Sequence, residues 1–439
     1  MPVRVGGRRA SRGIRRLLAG RGAIWIAFAL VHAGLVALNL FAPGLPLGDV
    51  TGVYRVWAEN AAHGYARMGI DLPWVYPILA FAPMAVSLAF GGEWFGETWL
   101  ALVTLLNGIT LSVLLGRAAL SRHRRLAAWW WLCFLALLGP IALGRIDAVT
   151  VPFAMLGLLF AAGRPRVAAV LLTVGAWIKV WPAALVAALV VVLRRRAEVA
   201  MIALALSFGI LAVSLVAGAG ANAVGFIWEQ AGRGLQVEAP LAVLWLWGIV
   251  AGAPGVHVSY DREILTYQVY GPGVEVAAWL TTPLLAVGVA AVLAVGIRAV
   301  RRGAPLGRLL PPLALAFVVV LLLGNKVGSP QFVTWLAAPV VLGLVLRSAR
   351  FTVPALLAAG AALITHVIYP YWYGWLLVAD PAFVLLLTGK VVLLALLLVW
   401  ALRRLWQAGN RVALPAGYPI AVDGVTVESR AGDRREGLR

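Results

Sequence analysis

The sequence predicts an all-α polytopic membrane protein, and three observations carry the prediction. The chain is 62% hydrophobic and 12% charged, with a mean hydropathy of +0.93, a level soluble domains do not approach. Apolar runs of roughly 20 residues, the length a helix needs to cross a bilayer core, recur along it. Arginine falls in short clusters between those runs and most carboxylates fall in the alternate gaps, the asymmetry that separates cytoplasmic from external loops. A net charge of +20 with a pI near 11.3 would suit a nucleic-acid binder if the cations shared one surface. Spaced as they are, they are topology signals, and nucleic acid is not an expected partner. Cys133 is the one cysteine and lies in an apolar run, so neither a disulfide nor a cysteine metal cluster is expected.

Each segment follows from these anchors. Residues 1–21 are an Arg-rich cytoplasmic N-terminus, and the run AIWIAFALVHAGLVALNLFA is too long for a signal peptide and lacks a small-residue cleavage site, so it reads as an uncleaved first span. Arginine clusters at 116–125, 163–166, 194–196, 298–303, 347–350 and 403–404 then divide the chain. Between them lie spans at 22–42 and 98–117, hairpins at 126–162 and 167–193, and a span at 199–219. A return at 274–298, a hairpin at 309–347 and a pair at 352–402 complete about twelve crossings with both termini cytoplasmic. Residues 22–405 thus form one transmembrane domain with a first external loop at 43–97, and 406–439 read as a disordered cytoplasmic tail. The run 76–90 is placed flat on the outer face, because a crossing there would put SRHRR outside. The 166–194 hairpin, with Lys179, Trp181 and Pro182 at its middle, is so short that its bend should lie below the outer surface. LAVLWLWGIVAG (241–252) should re-enter, and such broken helices belong around a cavity.

The charged residues point to that cavity. All three lysines, Lys179, Lys326 and Lys390, sit in or beside apolar runs although every loop is built from arginine. An ionisable group at membrane depth is by default a functional candidate; for Lys390, snorkelling to a headgroup is the favoured reading. Lys326 lies in LLLGNKVGSPQFVTWL, an outward tip with Gly328 and Pro330 supplying turn chemistry. Arg145 and Asp147 form a second tip, where a structural salt bridge is the competing reading. FIWEQAGRGLQVEAP adds Glu229, Arg233, Gln236 and Glu238. Asp49 stands just past the first span, before a stretch in which Tyr54, Trp57, Ala61, Tyr65 and Met68 recur at spacings of three and four. That spacing predicts an amphipathic helix on the outer membrane surface, able to receive a lipid; Asp49 serves either as its N-cap or as a chemical group.

An acidic residue after the first span, an external amphipathic helix and then Tyr76-Pro77 resemble the first external loop of GT-C glycosyltransferases. GRIDAVTVPFAMLGLLFAAGRPRVAAVLLTVGAWIKVWPAAL and GRGLQVEAP are similar to segments of bacterial polyprenyl-phosphate-mannose-dependent mannosyltransferases. NKVGSPQFVTWLAAP resembles the Asn-Lys-Val-x-x-x-Gln-Phe motif of the catalytic subunit of the first mannosyltransferase of GPI-anchor assembly. The resemblance covers most of Asp49–Pro339. The eukaryotic enzymes carry Asp-x-Asp where this chain has Asp49-Val50-Thr51, so no metal and no cofactor is expected.

The resemblance implies a GT-C bundle and an inverting transfer of mannose, or another hexose, from a polyprenyl-phosphate donor to a cell-envelope glycolipid such as a phosphatidylinositol mannoside, on the outer face of the plasma membrane. Asp49 is then the general base. Lys326, Arg233, Lys179, Arg145 and His366 are candidates for the donor phosphate, and Tyr54, Trp57, Tyr76, Asp147, Gln236, Glu238 and Gln331 for sugar or acceptor. Trp74, Tyr369, Tyr371, Trp372 and Tyr373 suit sugar stacking or a polyprenyl tail but also an ordinary interfacial aromatic belt. A monomer is expected. A lipid or lipid-linked-sugar transporter is the alternative, although its usual matching halves are not visible. A non-catalytic scaffold is a third reading, and no Gly-x-Ser-x-Gly supports an acyltransferase.

Overall fold

A computed structural model describes residues 20–347 and 351–410. The predicted Arg-rich start and most of the predicted tail, 1–19 and 411–439, lie outside the described residues. The chain is built from helices α1 (Arg21–Phe41), α2 (Arg55–Ala62), α3 (Phe81–Ser87), α4 (Phe95–Leu115), α5 (Arg122–Leu138), α6 (Asp147–Phe160), α7 (Pro165–Ile178), α8 (Pro182–Val192) and α9 (Arg196–Val216). After them come α10 (Phe226–Ala231), α11 (Val243–Val250), strands β1 (His257–Asp261) and β2 (Thr266–Tyr270), and α12 (Val274–Arg301). The remainder is α13 (Leu306–Leu323), α14 (Ala337–Val345), α15 (Thr352–Ile368), α16 (Tyr373–Leu377) and α17 (Pro381–Asn410).

Each expected crossing is helical, but length divides them. Among the described residues seven helical stretches are long and apolar enough to cross a membrane: 21–41, 92–115, 122–142, 196–216, 274–301, 306–323 and 381–410. The molecule is thus a helical polytopic membrane protein. The segments at 147–160, 165–178, 182–192, 330–345 and 352–368 are shorter, so helix length alone does not carry a count of twelve. Their ends are written locally. Pro165 and Pro182 open α7 and α8 at the first helical turn, where a missing N–H costs nothing, and Lys179 between them is extended (φ −150°, ψ 131°). The Ser121 hydroxyl caps α5 by accepting from Arg124 N at 3.2 Å.

The long helices sort by environment. α9 and α12 leave Phe208, Val213, Val216, Trp279 and Val287 exposed, as lipid-facing helices do. α13 is buried nearly all round and packs on α17, α8 and α12. A second, smaller apolar cluster gathers Leu235, Val237, Leu246, Val269, Ile368 and Leu376 with Val384 and Leu387 of α17.

Two expectations change and one element is added. The helix predicted over Tyr54–Met68 begins as a π-turn, Val50–Tyr54, and ends at Ala62, with Gly64 in the left-handed region (φ 75°) turning the chain before Tyr65. Residues 257–270 form an antiparallel hairpin, with His257 opposite Tyr270 and Asp261 opposite Thr266. Lys390 does not snorkel: its side chain is 6% exposed and its Nζ lies 2.5 Å from Glu238 Oε2, so a carboxylate and not the headgroup layer satisfies it.

Candidate active site

A cavity of about 830 Å³ opens beside the first external loop, within the size of ligand pockets generally. Seven separate stretches wall it, and five of them carry residues expected at the site. The 49–57 turn contributes Asp49, Tyr54 and Trp57, the loop to α3 contributes Trp74 and Tyr76, and the α7–α8 break contributes Lys179. Arg233 and Gln236 come from the stretch after α10, and Lys326 and Gln331 from the loop after α13. Nine of the thirteen residues assigned from sequence to base, phosphate or sugar therefore share one cavity wall, with Trp74 beside them. Asp147, Glu238, Arg145 and His366 do not line it.

Asp49 does not act as an N-cap. It already has helical φ/ψ and its side chain makes no cap hydrogen bond. Instead its Oδ2 lies 2.9 Å from Arg145 Nε. The Arg145 guanidinium also donates to Pro46 O (2.6 Å), Gly144 O (2.7 Å) and the Tyr369 hydroxyl (2.6 Å). Its side chain is 8% exposed against 47% for Asp49, so arginine stands behind carboxylate. Burial opposes the Arg145 charge, but Asp49 and the hydroxyls of Tyr369, Tyr54 and Tyr76 outweigh it and raise the pKa above the ordinary arginine value. Among the described residues nothing engages Asp49 Oδ1, the oxygen left for a ligand.

Tyr54, Trp57, Trp74 and Tyr76 form a continuous aromatic wall next to Asp49. Ring centroids are 5.9 Å apart for Tyr54–Trp57, 5.5 Å for Trp57–Trp74 and 5.6 Å for Trp74–Tyr76. The Tyr54 and Tyr76 hydroxyls meet at 3.4 Å, and burial pushes the Tyr54 phenol well above its ordinary pKa, so it stays neutral.

Asp147 is fully buried at the start of α6, where the helix dipole favours an anion. Its Oδ1 accepts from Trp335 Nε1 (2.6 Å) and its Oδ2 faces Lys179 Nζ at 3.3 Å. Trp335 stacks on Trp181 with centroids 5.2 Å apart and planes 8° off parallel, and Trp181 Nε1 donates to Thr150 Oγ1. The salt bridge anticipated at the 145–147 tip is thus two pairs, Arg145–Asp49 and Asp147–Lys179. Lys179 also sits over the Tyr76 and Phe332 rings, at 4.9 and 5.2 Å, which holds its ammonium at the wall.

The other two cations ride on a backbone ladder. Val269 N donates to Leu235 O, Val237 N to Tyr267 O, and Gln236 N to Lys326 O at 3.0 Å, so β2, residues 235–237 and the Lys326 loop lie side by side. The Gln236 amide, oriented to satisfy both neighbours, donates to Gly328 O (3.0 Å) and accepts from Arg233 Nη1 (3.2 Å). Burial lowers the pKa of both Arg233 and Lys326. Gly328 is glycine for close approach and not for turn geometry: a Cβ there would overlap the backbone of Glu238 and Ala239. His366 lies off the cavity with its Nε2 3.3 Å from the Tyr371 hydroxyl.

Sequence reasoning missed Trp335, which anchors Asp147, and Glu263 at the hairpin turn, which also lines the cavity. The alternation of His257–Asp261 and Thr266–Tyr270 around Arg262-Glu263 was the available signal. Among the described residues no three His, Cys, Asp or Glu side chains cluster as a metal site.

No curated protein matches the chain. Residues 74–260, which hold Trp74, Tyr76, Lys179, Arg233 and Gln236 of the cavity wall, match the family model of glycosyltransferase family 87, and this match, joined to the helical membrane architecture, supports a multi-pass membrane glycosyltransferase.

Proposed function

We propose that the protein transfers mannose, or another hexose, from a polyprenyl-phosphate sugar to a cell-envelope glycolipid on the outer face of the plasma membrane. The observation that carries the reading is a single cavity with an open carboxylate oxygen, Asp49 Oδ1, and three cations, Lys179, Arg233 and Lys326. A transfer from a lipid phosphate needs those two functions. Asp49 Oδ1 takes the proton of the acceptor hydroxyl as its oxygen bonds to the anomeric carbon. The bond from that carbon to the phosphate oxygen breaks on the opposite face, and polyprenyl phosphate leaves with the electron pair. One carboxylate on the acceptor side suits inversion; retention asks for a nucleophile opposite.

Lys326 and Arg233 are assigned to the departing phosphate, with Lys179 contributing charge while tied to Asp147. The aromatic wall of Trp57, Trp74 and Tyr76, with Gln236 and Gln331, receives the sugars. Arg145, with four of its five donors engaged and its head behind Asp49, orients the base. Asp147 serves the site by holding Lys179.

The test supplies membranes of an expressing strain with radiolabelled mannose on polyprenyl phosphate or on a nucleotide. Label should enter glycolipid from the polyprenyl donor with nucleotide-dependent lipid synthesis blocked. Transfer from the nucleotide sugar alone under that block would overturn the donor assignment.

A further inference from the structure

Lys390 is the one lysine that the reaction leaves unused. It lies on α17, a helix that contributes nothing to the cavity wall, and its side chain is 6% exposed. Three residues before it Leu387 belongs to the small outer apolar cluster, and four residues after it Leu394 belongs to the main core. Lys390 therefore marks the seam between the two. A charge at such a seam is costly unless paired, and its partner is Glu238, 1% exposed, with Oε2 2.5 Å from Nζ.

Glu238 is the next residue after the ladder that carries the phosphate cations. Two residues earlier, Gln236 N is bonded to Lys326 O and the Gln236 side chain reaches Gly328 O and Arg233 Nη1. On its other side the Glu238 backbone is pressed against Gly328 so closely that no Cβ fits between them. Ala239 N closes the turn onto Gln236 O at 2.9 Å. Residues 233–239 and 325–329 are thus joined by hydrogen bonds and close backbone contact, and the Glu238 carboxylate is the point at which the Lys390 ion pair ties them to the last long helix.

We propose that the Glu238–Lys390 pair is a positioning strut: buried, away from substrate, it fixes the depth at which Lys326 and Arg233 meet the donor phosphate. This replaces the expectation that Glu238 binds sugar, and it rests on the assignment of Lys326 and Arg233 to that phosphate. Losing either partner leaves a buried charge unanswered, and relief by rotation of the 233–239 stretch shifts both cations together. Misplacement of about 1 Å at a distance from the chemistry is enough to cost up to roughly a hundredfold.

The experiment measures undecaprenyl phosphate binding and sugar transfer by the full chain in nanodiscs, for wild type, Lys390→Met, Glu238→Gln, Lys390→Arg and the neutral pair Glu238→Gln/Lys390→Met. In both single neutral variants the Kd for undecaprenyl phosphate and the donor KM should rise roughly ten- to a hundredfold, with acceptor KM unchanged. Lys390→Arg should recover most of the loss. The neutral pair leaves no lone buried charge to relieve and should bind undecaprenyl phosphate more tightly than either single variant, and if Lys390→Met does not fold, Glu238→Gln carries the comparison with it. A fall in unfolding temperature with Kd and KM unchanged would reduce the pair to scaffolding and overturn the proposal. So would a rise in acceptor KM confined to the Glu238 variant, which would make Glu238 a sugar ligand. Wild type that binds no undecaprenyl phosphate would instead refute the donor reading on which the strut depends.

Discussion

Arg145→Lys separates an orienting arginine from a phosphate-binding one. Arg145 serves four partners, Asp49 Oδ2, Pro46 O, Gly144 O and the Tyr369 hydroxyl, at 2.6–2.9 Å. A lysine ammonium is a single point on a flexible stem and cannot reach four acceptors set around a planar fork. Hydrogen bonds from a charged donor contribute about 1.5–3 kcal/mol each when buried. The Asp49 contact is half exposed and is screened to about 1 kcal/mol or less. Loss of two of the three buried contacts therefore removes roughly 3–6 kcal/mol of local order around the carboxylate. That releases Asp49 from its register, and a displacement near 1 Å costs about a hundredfold in rate. Initial rates at varied donor concentration in proteoliposomes should show kcat down by about that factor with donor KM little changed, because Arg145 does not line the cavity. A donor KM raised about tenfold with kcat intact would refute the orienting role and make Arg145 a phosphate ligand.

Three further outcomes follow from the same geometry. The pKa of Lys326 is lowered by burial, so its cation, and with it donor binding, should be lost as pH rises through a value below the ordinary lysine range near 10.5; Lys326→Arg should flatten that donor-KM profile. Gly328→Ala forces a Cβ into the Glu238 and Ala239 backbone and should lower stability by about 1–3 kcal/mol while weakening undecaprenyl phosphate binding, read by thermal unfolding and binding on one sample. Asp147→Asn keeps an acceptor for Trp335 but leaves Lys179 without its counter-charge, and thermal unfolding should report a loss of about 3–5 kcal/mol.

What was legible in the sequence was whatever composition and periodicity encode. Apolar run length and the arginine clusters located the helices, and proline with a lysine in an apolar hairpin located the α7–α8 break that brings Lys179 to the cavity. Hydrophobic period could not tell which charges pair. Arg145 and Asp147 are two residues apart in sequence, yet their partners, Asp49 and Lys179, come from opposite directions along the chain. Glu238 and Lys390 are separated by 152 residues, and only tertiary packing joins them. The hairpin at 257–270 was hidden by a flanking membrane pattern that absorbs short β alternation. The end of the helix after Asp49 was misjudged because aromatic spacing continued past Gly64, where the backbone had already turned.

The most direct test of the account is Asp49→Asn in the labelled transfer assay, since the substitution keeps the shape of the side chain and removes its capacity to take a proton. With wild type transferring mannose from the polyprenyl donor, the variant should lose about 100- to 10,000-fold in rate while still binding undecaprenyl phosphate. Equal transfer by the two proteins would contradict the assignment of the base to Asp49.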